Sequence, residues 1–171
     1  PQNQENIESN KKPPFADTNR KRGLFLMEQK NDNLSMLEAV VQNTEMGKNT
    51  LDQIVPMTED TRFKAELLRE RNIYQQLNQE AHSCIAACGA QAKGQTAFAK
   101  MNTRMGISMK TLTDKSTRNL AEMLSEGSSQ GVMDCIKCQK DYPDAAPGSK
   151  RLMQRLQDFQ EDSRIKLEQF L

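Results

Sequence analysis

The chain has no tryptophan, and aromatic residues make up only 5% of its 171 positions. Runs of alternating Val, Ile or Tyr are absent, which argues against a sheet. No apolar run approaches the roughly 20 residues that a membrane span requires. The N-terminus lacks the charged, apolar and small-residue succession of a secretory signal, so a cytoplasmic protein is expected. A net charge of +1 gives no long-range field for nucleic acid, and none is expected as a partner. Four cysteines in a chain long enough to build a core do not make a disulfide framework, and reduced thiols are expected. No phosphate loop, cofactor fingerprint or nucleophile paired with a base is present, so no catalytic or cofactor-binding residue is assigned.

Helical periodicity is what the chain does have. From Thr61 to Cys88, steps of four and three pick out Phe63, Leu67, Glu70, Tyr74, Leu77, Ala81, Cys84 and Cys88, the stripe of a bundle helix. One member, Glu70, is an acid. A buried carboxylate needs a cation, a donor or a metal, which makes Glu70 the entry to function.

The remaining chain divides around this helix. Residues 1–33 are rich in Asn, Gln, Lys and Glu, include Arg20-Lys21-Arg22, and read as a mobile polar tail whose one apolar patch is Leu24-Phe25-Leu26-Met27. Met27 is a candidate start, with the preceding residues a leader. Residues 34–171 read as the bundle. A first helix is expected from about Asn33 to Val55, stopped by Pro56, with the stripe Leu34, Leu37, Val41, Thr44, Lys48, Leu51 and Val55. Thr58 or Asp60 can cap the second helix.

Residues 91–113, with Phe98, Met101, Met105, Met109 and Leu112, read as a crossover containing a short amphipathic helix. A third long helix is expected from about Asp114 to Lys140. Glu126-Gly127-Ser128-Ser129-Gln130-Gly131 interrupts it, and such small residues imply the close approach of a backbone or ligand. The last helix is expected from Ser149, as its cap, to Leu171, with Asp162 and Ser163 at mid-length.

Each long helix therefore breaks its apolar stripe near its middle, which predicts a polar layer of Thr44, Lys48, Glu70 and Ser163. Either carboxylates hold a metal pair there, or Lys48 answers Glu70 in a buried salt bridge.

The helix order, with Thr44-Glu45-Met46-Gly47-Lys48, Glu70-Arg71-Asn72-Ile73-Tyr74 and Glu126-Gly127, resembles the ferritin-like four-helix bundles, especially small bacterial members of unknown function. In metal-binding members the first and third helices each give a Glu, matched here by Glu45 and Glu126. The second and fourth each give Glu-x-x-His. Here the second has Glu70-x-x-Ile73, and the nearest counterparts on the fourth are Phe159-x-x-Asp162 and Glu161-x-x-Arg164. The resemblance implies the degenerate metal set Glu45, Glu70, Glu126 and Asp162. His82, the single histidine, lies twelve residues beyond Glu70, about 18 Å along a helix, too far to replace a ligand.

The expectation is a non-enzymatic bundle that has lost its di-metal centre and serves as a structural, binding or oligomerisation module. A homodimer or another helical protein is the implied partner. A carboxylate-bridged iron or manganese oxidoreductase or storage protein is the alternative. A second alternative is a zinc-stabilised or thiol redox-sensing module built on Cys84, Cys88, Cys135 and Cys138, whose pairs each share one side of a helix.

Overall fold

The computed structural model describes residues 14–90 and 113–171. Among these residues the protein is all-α, with four long helices and no strand. Helix α1 spans Pro14–Ile54, α2 Thr61–Ala87, α3 Thr117–Asp141 and α4 Pro147–Leu167. The expected crossover at 91–113 lies, but for Thr113, outside the described residues, as does the first part of the expected tail.

Local chemistry sets the helix ends. After Ile54 the chain tightens into a single 3-10 turn, Val55–Met57, because Pro56 cannot continue an α-helix. Asp60 then caps α2, its carboxylate accepting from the amides of Arg62 at 2.8 Å and Phe63 at 2.9 Å. Beyond α2, Gly89 turns the chain at φ 69°, a conformation that favours glycine. Ser116 caps α3 through the amide of Asn119. The expected cap of α4, Ser149, is corrected: Pro147 starts the helix with its fixed φ, after Ala146. Ser149 is buried instead and donates to Asn33 Oδ1.

The start of α1 is also corrected, since the helix extends back from Asn33 to Pro14. Leu, Met, Gln, Lys, Arg and Glu dominate positions 20–30 and favour helix without tertiary help. Between residues 21 and 31 every side chain is exposed except half-buried Gln29. At 1.5 Å per residue, residues 21–31 form an exposed overhang about 16 Å long. Leu24, Phe25, Leu26 and Met27 on it are 51–66% exposed. No helix among the described residues is long and apolar enough to cross a membrane.

Cross-helix bonds fix the directions. Asn33 meets Cys88, Thr44 meets Asn78 and Asp52 meets Arg71, so α1 and α2 form an antiparallel hairpin. Gln139 with Gln157, Cys135 with Gln160 and Ser128 with Ser163 show the same for α3 and α4. Asn33 with Ser149 and Asn43 with Gln160 make α1 parallel to α4. Consequently α2 and α3 run the same way, and α3 begins at the end opposite to where α2 finishes. One core fills the space between the hairpins, with Met36, Leu37, Ile54, Phe63, Leu67, Leu120, Leu152 and Leu156 fully buried. Phe63 packs on Phe170 at one end with ring centroids 4.9 Å apart.

Candidate functional site

The centre of the bundle is a buried polar layer, and it begins with two glycines. Gly47 on α1 has no Cβ, and the ring of Tyr74 on α2 occupies that space: an added Cβ would lie 2.4 Å from the ring. Gly131 on α3 makes the same room for the amide of Gln160 on α4, 2.3 Å from an added Cβ. These two side chains then meet between the hairpins, where Gln160 Nε2 donates to Tyr74 Oη at 3.4 Å and to Asn43 Oδ1 at 2.7 Å. Phe159 packs edge-on against Tyr74, with centroids 4.8 Å apart.

One turn away sits Glu70, 2% exposed. Ser163 Oγ donates to its Oε1 at 2.7 Å, and Ser163 in turn lies 3.3 Å from the hydroxyl of Ser128. Burial raises the Glu70 carboxyl to about 7; the Ser163 bond, Arg69 and Lys166 oppose that rise, and Glu66 adds to it. The two cations do not bond to Glu70. Arg69 Nε donates to Glu66 at 3.0 Å, while Lys166 holds Asp162 at 2.6 Å. Burial also carries the Tyr74 hydroxyl well above its usual range. Thr44 is fully buried, donates to Val40 O at 2.8 Å and accepts from Asn78 at 2.9 Å.

Of the four residues expected in the layer, Thr44, Glu70 and Ser163 are buried and Lys48 is not. The expected Lys48–Glu70 salt bridge is therefore corrected. Lys48 Nζ reaches along its own helix to Asp52 at 2.8 Å, and Asp52 also takes Arg71. A lysine beside a surface carboxylate keeps its hydration, whereas the Glu70 site would strip it.

The four candidate metal carboxylates are not brought together either. Glu45 is 40% exposed and stands 3.8 Å from His82 Nε2. Asp162 is half exposed and paired with Lys166, and Glu126 faces solvent. Among the described residues no three His, Cys, Asp or Glu side chains converge where they could hold a metal ion. The set does not fit a di-metal centre. The four thiols likewise form no common zinc site. Cys84 and Cys88 are half-buried on α2, with Cys88 accepting from Asn33 at 3.3 Å. Cys135 and Cys138 are buried on α3, and Cys135 donates to Gln160 Oε1 at 3.6 Å. The α2 stripe passes through Ile85, 1% exposed, in place of the expected cysteines.

Asn43, Tyr74, Ser128 and Gln160 were not part of the expected layer. A signal for two of them was present: Gly47 mirrors Tyr74 about the α1–α2 turn, and Gly131 mirrors Gln160 about the α3–α4 turn. A mid-helix glycine opposite a large side chain at the mirrored position marks a close approach. Gly47, Glu70, Tyr74, Ser128 and Gln160 border a cavity of about 40 Å³. That is room for water and far below the several hundred Å³ of an organic substrate pocket. No family model, curated protein or solved structure matches this chain.

Proposed function

We propose that the protein is a non-enzymatic, cytoplasmic helical bundle of ferritin-like connectivity that has lost its di-metal centre and acts as a binding or oligomerisation module. One observation carries this reading, the division between interior and overhang. Inside, no buried side-chain nitrogen or oxygen among the described residues lacks a hydrogen-bond partner, so the layer answers itself and offers little to a substrate. Outside, the α1 overhang carries Leu24, Phe25, Leu26 and Met27, each at least half exposed. Apolar side chains exposed in succession mark an interaction surface.

The helix directions support the connectivity, since two antiparallel hairpins with α2 parallel to α3 require a crossover. The carboxylate geometry supports loss of the centre. The test combines metal analysis with sedimentation equilibrium. The parent chain is expected to carry no stoichiometric iron or manganese and to self-associate, and Leu24→Glu with Phe25→Lys is expected to give a monomer. About two iron or manganese ions per chain would replace this reading with the carboxylate-bridged di-metal alternative. An unchanged association state in the double variant would remove the overhang from it.

A further inference from the structure

A second cavity lies between α1, α3 and α4, and its chemistry is that of sulfur. Its volume is about 70 Å³, and Cys135, Cys138 and Met153 line it together with Asn43 and the half-buried Ala39, Gln42 and Asp134. The sulfur-bearing residues are 1%, 7% and 1% exposed. The two cysteines stand three positions apart on one helix, which brings their Cβ atoms to about 5–6 Å. Sulfurs on such a pair can converge on a single ion. Met153 reaches the same space from α4, so the donors come from two helices.

We propose that this cavity is a binding site for one soft monovalent d10 cation, of the Cu(I) class, held by the thiolates of Cys135 and Cys138 with the thioether of Met153 as third ligand. Thiolate and thioether are the ligands that select Cu(I), and hard cations gain little from them. Zinc is disfavoured, because a structural zinc site needs four donors and the third sulfur here is a thioether. Asp134, with a side chain 31% exposed, borders the same cavity, accepts from Gln130 Nε2 at 2.9 Å and stands 3.8 Å from Lys137 Nζ.

The proton balance follows from the thiols. Burial pushes Cys135 up to about 12 and Cys138 to about 11, so both are protonated in the empty site. Loading exchanges two thiol protons, released to solvent, for one cation, with no change of oxidation state. Cys135 thereby gives up its hydrogen bond to Gln160 Oε1. Affinity should rise about a hundredfold per pH unit, as expected when two protons leave.

The test uses the whole reduced chain under anaerobic conditions, titrated with Cu(I) against an excess of a coloured Cu(I) chelator. One equivalent per chain is expected to leave the chelator, with two protons released into a weakly buffered indicator. Met153→Leu, which keeps the core volume, is expected to fold as the parent and to bind at least about tenfold more weakly, in line with a lost ligand-sphere contact. Cys138→Ser is expected to lose the site, and the double variant Cys84→Ser with Cys88→Ser to retain it. Should Cys138→Ser fail to fold, Met153→Leu and the α2 double variant decide. Copper left wholly on the chelator, undiminished affinity in Met153→Leu, or loss of binding in the α2 double variant would each overturn the proposal. This outcome is independent of the iron and manganese content that tests the reading above.

Discussion

Replacing Glu70 by Gln should make the protein more stable at neutral and alkaline pH, and the gain should vanish in acid. The folded state holds the Glu70 proton up to about pH 7, against 4.5 for an unburied glutamate. Below pH 4.5 both states are protonated and Glu70 adds no pH dependence. Between 4.5 and 7 the unfolded chain loses the proton while the folded chain keeps it, so stability falls as pH rises. Above 7 the loss is complete. At about 1.4 kcal/mol per pH unit it amounts to about 3 kcal/mol. Glutamine is neutral throughout and its Oε1 can accept from Ser163 as the carboxylate does. Urea unfolding of parent and variant from pH 4 to 8.5, read as the difference in free energy, isolates this group from other titrations. A cost of seating the amide nitrogen would offset the curve equally at every pH, so the slope is diagnostic. A difference that stays flat, or one that favours the parent increasingly above pH 6, would refute the reasoning.

The glycine contacts predict opposite outcomes for one chemical change. Gly47→Ala should lower stability by about 1–3 kcal/mol, as overpacking does, despite alanine's better helix propensity. Gly23→Ala, where an added Cβ meets nothing within 4 Å, should instead leave unfolding unchanged and raise the helical circular dichroism signal slightly. Lys48→Met should change the free energy of urea unfolding by less than about 1 kcal/mol, because Lys48 serves a surface pair with Asp52. Asp60→Ala should cost about 1 kcal/mol through loss of the α2 cap, measured in the same way.

The helices were legible because a stripe of period 3.6 is a local property. Pro56, Asp60, Gly89 and Ser116 mark ends in the sequence because capping and ring sterics act within a few residues. The α3 face was less so, since it runs through Ser128 and Gly131, which carry no hydrophobic signal, while Val132 and Ile136 are only half-buried. Glu70 announced itself as an acid in an apolar stripe. What answers it could not be read, because Lys48 and Ser163 both lie at the right height, and only the rotation of α1 about its axis decides between them. Glu45 and Asp162 were misplaced for the same reason. Matching height along four helices is a one-dimensional criterion, and convergence needs the angle as well. The overhang escaped because polar composition reads equally as tail or as solvent-facing helix.

Leucine-rich seams are forgiving: one helix can slide past another by a turn, about 5.4 Å, and still bury methyl groups. Tyr74 and the polar contacts of the second hairpin remove that freedom. Tyr74 is seated at the only glycine of its stretch of α1, and a shift of one turn would drive it into the side chain of Asn43, Thr44, Thr50 or Leu51 in place of Gly47; on α3, where Gly127 stands one turn from Gly131, the contacts of Ser128 with Ser163 and Gln139 with Gln157 set the register. The Gly47 notch thus works as a keyway for the first hairpin. The hydrogen bond between Tyr74 and Gln160 ties the two settings together, so that the axial register of all four helices is chosen as one quantity.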